Sequence, residues 1–394
     1  MSDEATVDAL IDQLVSDLDP RQAPPLEFLG RQYDLGLGWV NFPVGYGGLG
    51  LSPKLQTRIN QRLADAGAPS AYWRNPIGYG MGAPTVLTHG SEEQKQRCLR
   101  PLFTGEEIWC QMFSEPGAGS DVAGLSTRAV RDGDEWVFNG QKVWTSLAHL
   151  SRWGMLVARH DTEQPKHKGL SYFVIDMHQP GVEVRPLRQM TGSAEFNEIY
   201  LTDARTPDSE RMGEVGDGWR VALTTLMNER VAIGGVVPAK GSGTIGVATK
   251  AYRARVSNGT ATAADRDELM KLWVRAEVHR LTNIRASEMR KIGVPGPEGS
   301  VGKLEQADLN KAIWSFAMNL LGPAGMLYGE YSLGSAESAE EATTPQRAFL
   351  RSRANSIEGG TTEVMKNILG ERVLGLPGDV RTDKEQSWSA VPRN

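Results

Sequence analysis

Only two cysteines, Cys98 and Cys110, occur in 394 residues. Their spacing fits no metal motif and offers no disulfide framework. They are expected to be buried small apolar groups in a reducing compartment. The six histidines are scattered, with no pair one helical turn apart, so no metal site is expected. No apolar run reaches the roughly 20 residues that a membrane-spanning helix needs. The opening "MSDEATVDAL" is acidic and lacks an apolar core segment. It therefore reads as neither a secretory signal nor an arginine-rich transit peptide, and a cytoplasmic location is the expectation. A basic excess is also missing. At a net charge of −5, a broad nucleic-acid surface is not expected, because the phosphate backbone favours a cationic footprint. What is present is ordinary for a folded chain, with 23% charged and 40% hydrophobic residues. The length suffices for two or three packed units, or for one large domain.

Three zones differ in texture. Residues 1–108 read as helices joined by Gly/Pro turns: "VDALIDQLVSDL" repeats apolar residues at helical spacing, and "SEEQKQRCLRPLF" opens on a capping serine, Ser91. "NFPVGYGGLGLSP" between them is a loop. Residues 109–215 change period. "WGMLVAR", "LSYFVIDM", "GVEVRPL" and "FNEIYLTDARTP" are strand-like, and "EWVFNGQKVWT" carries an Asn-Gly pair that predicts a hairpin. A β-barrel or sandwich domain is expected there. Residues 216–394 return to long amphipathic helices, with "GVPGPEGSVG" as a connector and a frayed polar tail after Pro377. The fold class is thus α+β, mainly α: helical domain, middle β domain, helical bundle.

The stretch "FSEPGAGSD" poses the functional question. Gly117 and Gly119 free the backbone to turn and to approach a ligand closely. Successive exposed N–H groups form a concavity suited to an anion or to ring carbonyls, and Ser114 and Ser120 add hydroxyls. Taken alone, such a loop is more often a tight turn entering a β domain. It is not the dinucleotide fingerprint, since the spacing differs. "NGQKVWTS" adds a flat face at Trp144 followed by hydroxyls at Thr145 and Ser146; alone, this is more often a core tryptophan on a strand. Together the two segments favour a planar, polyoxygenated ligand such as a flavin dinucleotide.

At this point the chain resembles the acyl-CoA dehydrogenase family along nearly its whole length. "FPVGYGGLGLS", "HGSEEQKQRCLRPLFTGE", "FSEPGAGSD", "NGQKVWTS", "FNEIYLTDARTP", "GEVGDGW", "NERVAIG" and "EGGTTEVMKNILGERVLGLP" stand in the family's order. The resemblance implies N-terminal helices, a middle β domain, a C-terminal four-helix bundle, FAD, and usually a tetramer. It implies flavin contacts from Gln111, Phe113, Ser114, Gly119, Ser120, Trp144, Thr145 and Ser146, with Ser120 also near the substrate's CoA side. Thr361 and Glu363 are implied on the adenine or ribose side. The implied reaction is α,β-desaturation of an acyl-CoA, with electrons passed to an electron-transfer flavoprotein.

Such a reaction needs a carboxylate base in a dry pocket, where desolvation raises its pKa toward neutrality. Two glutamates compete for the family's two base positions. Glu229 stands directly before Arg230 and fits the helical position; Leu226 and Ile233, at i−3 and i+4, share its face. Glu358 stands one residue too early, because Gly359 occupies the place directly before "GTT". Glu229 is the first choice and Glu358 the runner-up. On residues alone, Glu229 would more readily be read as half of a structural ion pair. Arg230 and Gly359 are expected near the CoA moiety or the substrate.

The cross-subunit flavin contacts depart from the family's pattern. Arg255 stands in for an arginine, but Asn258 occupies the place of a phenylalanine, and Asn319 and Pro323 replace a glutamine and a glycine. Homodimer, homotetramer and heterotetramer remain open. So do two alternatives to a dehydrogenase: a flavin-poor, non-catalytic subunit of a heteromeric enzyme, and an acyl-CoA oxidase of the same fold.

Overall fold

The computed structural model describes residues 2–234, 237–291, 298–328, 344–378, 380 and 383–392, with side chains left undescribed at 229–234, 290–291 and 298. The chain forms two compact units. One comprises residues 1–187, 195–229 and 382–394; the other comprises 188–194 and 230–381.

The first unit opens with helices α1 (Asp3–Asp17), α2 (Pro25–Asp34), α3 (Leu55–Ala66), α4 (Ala71–Arg74), α5 (Ala83–His89) and α6 (Glu92–Thr104). The α6 start is the expected cap in full. The Ser91 hydroxyl accepts from Gln94 N at 3.1 Å, and the Gln94 side chain accepts from Ser91 N at 2.9 Å. Val7, Ile11 and Leu14 of α1 are fully buried with Ile59 and Leu63 of α3, as the apolar spacing requires.

The β region follows: β1 (Trp109–Met112), β2 (Arg128–Asp132), β3 (Glu135–Ser146), β4 (Trp153–Arg159), β5 (Leu170–Asp176), β6 (Val182–Leu187), β7 (Phe196–Pro207) and β8 (Arg211–Met212). Among the described residues they form one eight-stranded sheet in the order β6-β7-β3-β2-β4-β5-β8, with β1 alongside β4. β4 and β5 are buried on both faces. Met155, Val157, Tyr172 and Val174 pack toward the helices, whereas Leu156, Ala158, Phe173 and Ile175 pack into a second core with Phe138 and Ile199. That explains why "GMLVA" and "SYFVI" are continuous apolar runs rather than alternating ones.

The Asn-Gly hairpin is not formed. β3 runs through Asn139 and Gly140 without turning, and the β2–β3 hairpin closes instead at Gly133, φ 63°, between Asp132 and Glu135. Asn139 is held on the sheet by a reciprocal pair with Asp203 (2.9 and 3.0 Å), beside a break in the β3–β7 register. Gly140 is needed for space, since a Cβ there would lie 2.5 Å from Thr127 Oγ1. The Asn-Gly pair therefore marks a bulge.

Helix α7 (Gly218–Gly234) buries Val221, Ala222 and Thr225 against the first unit's helical core. The Thr225 hydroxyl lies 3.1 Å from Tyr172 Oη and 2.9 Å from Thr85 Oγ1.

The second unit holds α8 (Thr244–Ser257), α9 (Ala263–Lys291), α10 (Glu298–Leu321), α11 (Pro345–Arg351) and α12 (Thr362–Arg372). Ile245, Leu269, Leu272, Leu309, Ile313 and Phe316 form its core. α10 begins inside the stretch expected as a connector. The tail is a further correction: residues 383–392 are ordered against the first unit, with Trp388 only 8% exposed. Both cysteines are free and buried. Among the described residues there is no helix long and apolar enough to cross a membrane, and no metal-binding cluster.

Candidate active site

The glycine-bearing loop leaves β1 at Met112 and is closed by a narrow turn. Glu115 and Ala118 exchange N–H···O bonds of 3.1 and 3.0 Å around Pro116 and Gly117. The Glu115 side chain points inward. Its carboxylate accepts from Ser126 N (2.6 Å), Ser126 Oγ (2.8 Å) and Thr127 N (2.9 Å), and pairs with Lys142 Nζ at 2.8 Å. Lys142 also donates to Phe113 O at 3.1 Å, and Val143 N to Ser114 O at 2.9 Å. The two charged side chains are 0% and 5% exposed. Burial pushes the Glu115 carboxyl up, but the Lys142 ammonium and the converging donors outweigh it and hold it at about 2. Burial also pulls the Lys142 ammonium down from its ordinary value, against the attraction of Glu115. With four donors on one carboxylate, the pair is ionised.

This inner frame leaves the tip outside. Pro116, Gly117, Gly119 and Ser120 are exposed. A Cβ at Gly117 or Gly119 would meet no atom within 4 Å, and neither residue has a left-handed φ. The fold itself therefore does not demand glycine at either place, and the space beside both is open. Gly119→Ala is expected to leave the melting temperature unchanged and to weaken flavin retention about tenfold, as an added methyl in a close contact costs about 1–3 kcal/mol. Equilibrium dialysis against FAD reads this.

β3 supplies the flat surface. Its register against β7 shifts between Lys142 and Thr145, so Val143 and Trp144 bulge. Trp144 takes φ 60°, which costs about 1–3 kcal/mol for such a residue. Its indole is 60% exposed, edge-on to Phe196 at 6.0 Å. A large apolar ring held out in a strained conformation is an unusual use of a strand tryptophan, and it favours the ligand face over the core reading. The next residues enclose polar atoms. Asn197 Nδ2 donates to Thr145 O at 3.0 Å, and Leu147 N to Glu195 O at 2.8 Å. Thr145 Oγ1, Asn197 Oδ1 and Glu195 Oε2 are buried without a hydrogen-bond partner. Orphaned polar atoms beside an exposed ring and an open glycine tip fit a flavin, which offers a flat tricycle edged with donors and acceptors. Ser146 is half-buried on the same segment. Gln111 lies on β1, and Phe113 turns its ring into the core against Tyr172 at 5.8 Å, leaving only its backbone for a cofactor.

The expected residues of the second unit form their own group. Glu358 is held by a two-point bond from Arg351 (3.1 and 2.7 Å) and by Asn355 Nδ2 at 2.8 Å. It is a structural ion pair, committed to its neighbours. Gly359 and Gly360 follow with φ of 63° and 95°. Thr361 caps α12, its hydroxyl accepting from Val364 N at 3.2 Å, and Glu363 sits exposed in the first turn. Glu358 and Gly359 also line a cavity of about 830 Å³ with Trp273, His279 and Lys303. Arg255 donates to Thr260 O (2.6 Å) and Leu320 O (3.3 Å), closing the turn between α8 and α9. Glu229 lies on α7, one turn beyond Thr225; its side chain and that of Arg230 lie outside the described residues.

Sequence reasoning missed the Glu115–Lys142 pair. The available signal was one lysine directly before the apolar Val143 and Trp144 in "QKVWTS" and one glutamate within the glycine loop, each needing a partner if buried. It also missed Arg159, which is 1% exposed and grips the carbonyls that follow the loop.

Family models match along the chain in three blocks: acyl-CoA dehydrogenase, N-terminal domain, at residues 4–106; middle domain at 110–204; and C-terminal domain at 216–374. The chain is 39% identical over 355 residues to acyl-CoA dehydrogenase IpdE1 of Mycobacterium tuberculosis, covering 88% of this chain and 86% of that one. It is also 39% identical over 346 residues to acyl-CoA dehydrogenase FadE34 of the same organism, covering 87% of this chain and 45% of that longer one. Among solved structures it resembles the Tcur3481-Tcur3483 steroid ACAD with a TM-score of 0.73 at 26% identity, covering 96% of this chain and 99% of that one. The ChsE4-ChsE5 complex from Mycobacterium tuberculosis follows at a TM-score of 0.71 and 27% identity, covering 96% and 100%.

Proposed function

The chain belongs to the acyl-CoA dehydrogenase family and is an oxidoreductase, and from that premise we propose that it binds FAD and desaturates a bulky, ring-bearing acyl-CoA of the steroid-derived class. The observation that carries the cofactor assignment is Trp144, exposed and left-handed beside three orphaned polar atoms. The substrate class is supported by the likeness to a steroid ACAD.

FAD, when bound, supplies the acceptor for the hydride lost from the β carbon. The chain's own groups do the rest. Trp144 gives the ring a flat support, and the hydroxyls of Thr145 and Ser146 lie on the strand beside it. Exposed backbone N–H groups at Gly119 and Ser120 favour the dinucleotide's phosphates. Glu229 takes the α proton onto its carboxylate. The α C–H is only weakly acidic, so donors aimed at the thioester oxygen must stabilise the charge that develops there. Glu229 is supported as base by its place one turn beyond Thr225, and by the engagement of the rival Glu358 with Arg351 and Asn355. An electron-transfer flavoprotein is the proposed acceptor of the electrons.

A second reading concerns assembly. Two structural relatives are two-chain enzymes by name, and in this chain Arg255 is occupied with closing a turn. A heteromeric enzyme in which this chain contributes one of two unlike subunits is therefore also proposed. Absorption spectroscopy tests the central reading. Purified protein should be yellow, and its flavin band should bleach anaerobically with a steroid-derived acyl-CoA but not with short straight-chain ones. Colourless protein that takes up no added FAD would overturn the cofactor assignment and leave the supporting-subunit reading.

A further inference from the structure

The tail that sequence composition marks as frayed reaches the loop that the proposed function uses. Three successive backbone carbonyls follow the glycine tip. Arg159 donates to Ala123 O at 2.6 Å and to Leu125 O at 3.0 Å. The carbonyl between them, Gly124 O, takes the indole N–H of Trp388 at 3.1 Å. The Arg159 guanidinium lies over the Trp388 ring, 4.4 Å from its centroid. Trp388 N donates to Gln164 O and Ser389 N to Thr162 O, both at 2.9 Å, so the tail runs along the β4–β5 connection. Lys166, from the same connection, bridges Asp121 at the loop's end (2.9 Å) and Asp383 in the tail (3.0 Å).

We propose that residues 383–392 form a strap in which Trp388 is a positioning residue for the cofactor loop, holding the 121–125 turn from beneath so that the exposed tip keeps its ligand-ready shape. The proposal rests on the reading of that tip as a flavin cradle. A loop ordered in advance loses less entropy when the ligand arrives. Trp388 does this without touching the ligand: its N–H fills the one carbonyl of the three that Arg159 leaves, and its ring stacks on Arg159 itself.

The test uses the full chain stripped of flavin and titrated with FAD, followed by quenching of FAD fluorescence, together with hydrogen exchange at amides 117–121. Trp388→Ala should weaken FAD binding about tenfold and speed exchange at the tip, with unchanged circular dichroism. Trp388→Phe keeps the ring on Arg159 and should recover part of the affinity; Asp383→Asn should give a smaller loss. If Trp388→Ala does not fold, the other two variants decide, and wild-type affinity in both would overturn the strap. Unchanged FAD affinity and unchanged tip exchange in Trp388→Ala, even with a lowered melting temperature, would also overturn it, because the tail would then stabilise without positioning. Should the wild type bind no FAD, the cradle reading fails, and tip exchange alone decides the strap.

Discussion

Glu229→Gln is expected to leave flavin bound and to slow its anaerobic reduction by acyl-CoA about a thousandfold, within the range of a lost general base. Removal of an α proton needs a carboxylate with a lone pair to give. Glu358, the other candidate, already accepts three hydrogen bonds from Arg351 and Asn355. Both oxygens of that carboxylate are therefore already committed to protein donors. Glu358→Gln should therefore leave reduction largely intact and chiefly loosen the turn before α12. Stopped-flow reduction of both variants, with the acyl-CoA that bleaches the wild type, separates the two glutamates. Loss confined to Glu358→Gln would reverse the assignment.

The second large effect lies beneath the loop. Lys142→Met should destabilise the first unit by about 3–5 kcal/mol, because it leaves Glu115 charged and buried without its counter-ion. Chemical denaturation measures that loss, and FAD uptake should fall with it, since Lys142 also holds Phe113 O. Glu115→Gln together with Lys142→Met removes both charges and should recover part of the stability. The pair also predicts an acid response. The Glu115 carboxyl is held at about 2 when folded, against 4.5 ordinarily. A carboxyl depressed by folding contributes its full stabilisation above the unfolded value and loses it as pH falls toward the folded one. Stability should therefore fall between about pH 4.5 and 2, and that part of the decline should vanish in the double variant.

Much of the architecture could be read from local signals. The strands β4 to β7 lie where short apolar or alternating runs predict them, and the Ser91 cap is formed as expected. Local reading failed where distant residues decided. An Asn-Gly pair is a turn only if both flanking strands are free to fold back. Here a longer β3 pairs with β7 across it, and Asn139 finds Asp203 instead. A tail rich in polar residues is frayed only if nothing receives it; Arg159 and Gly124 receive Trp388.

The sequence by itself determined the helix–sheet–helix order, which depends on residue type, spacing and periodicity along the chain, and its motifs carried the resemblance to the family. Tertiary structure decided which charges are buried together, which glutamate is spent on an arginine, and which tryptophan faces outward. Those outcomes depend on pairings across tens to hundreds of residues, such as Glu115 with Lys142 and Gly124 with Trp388, and no local propensity encodes such a meeting.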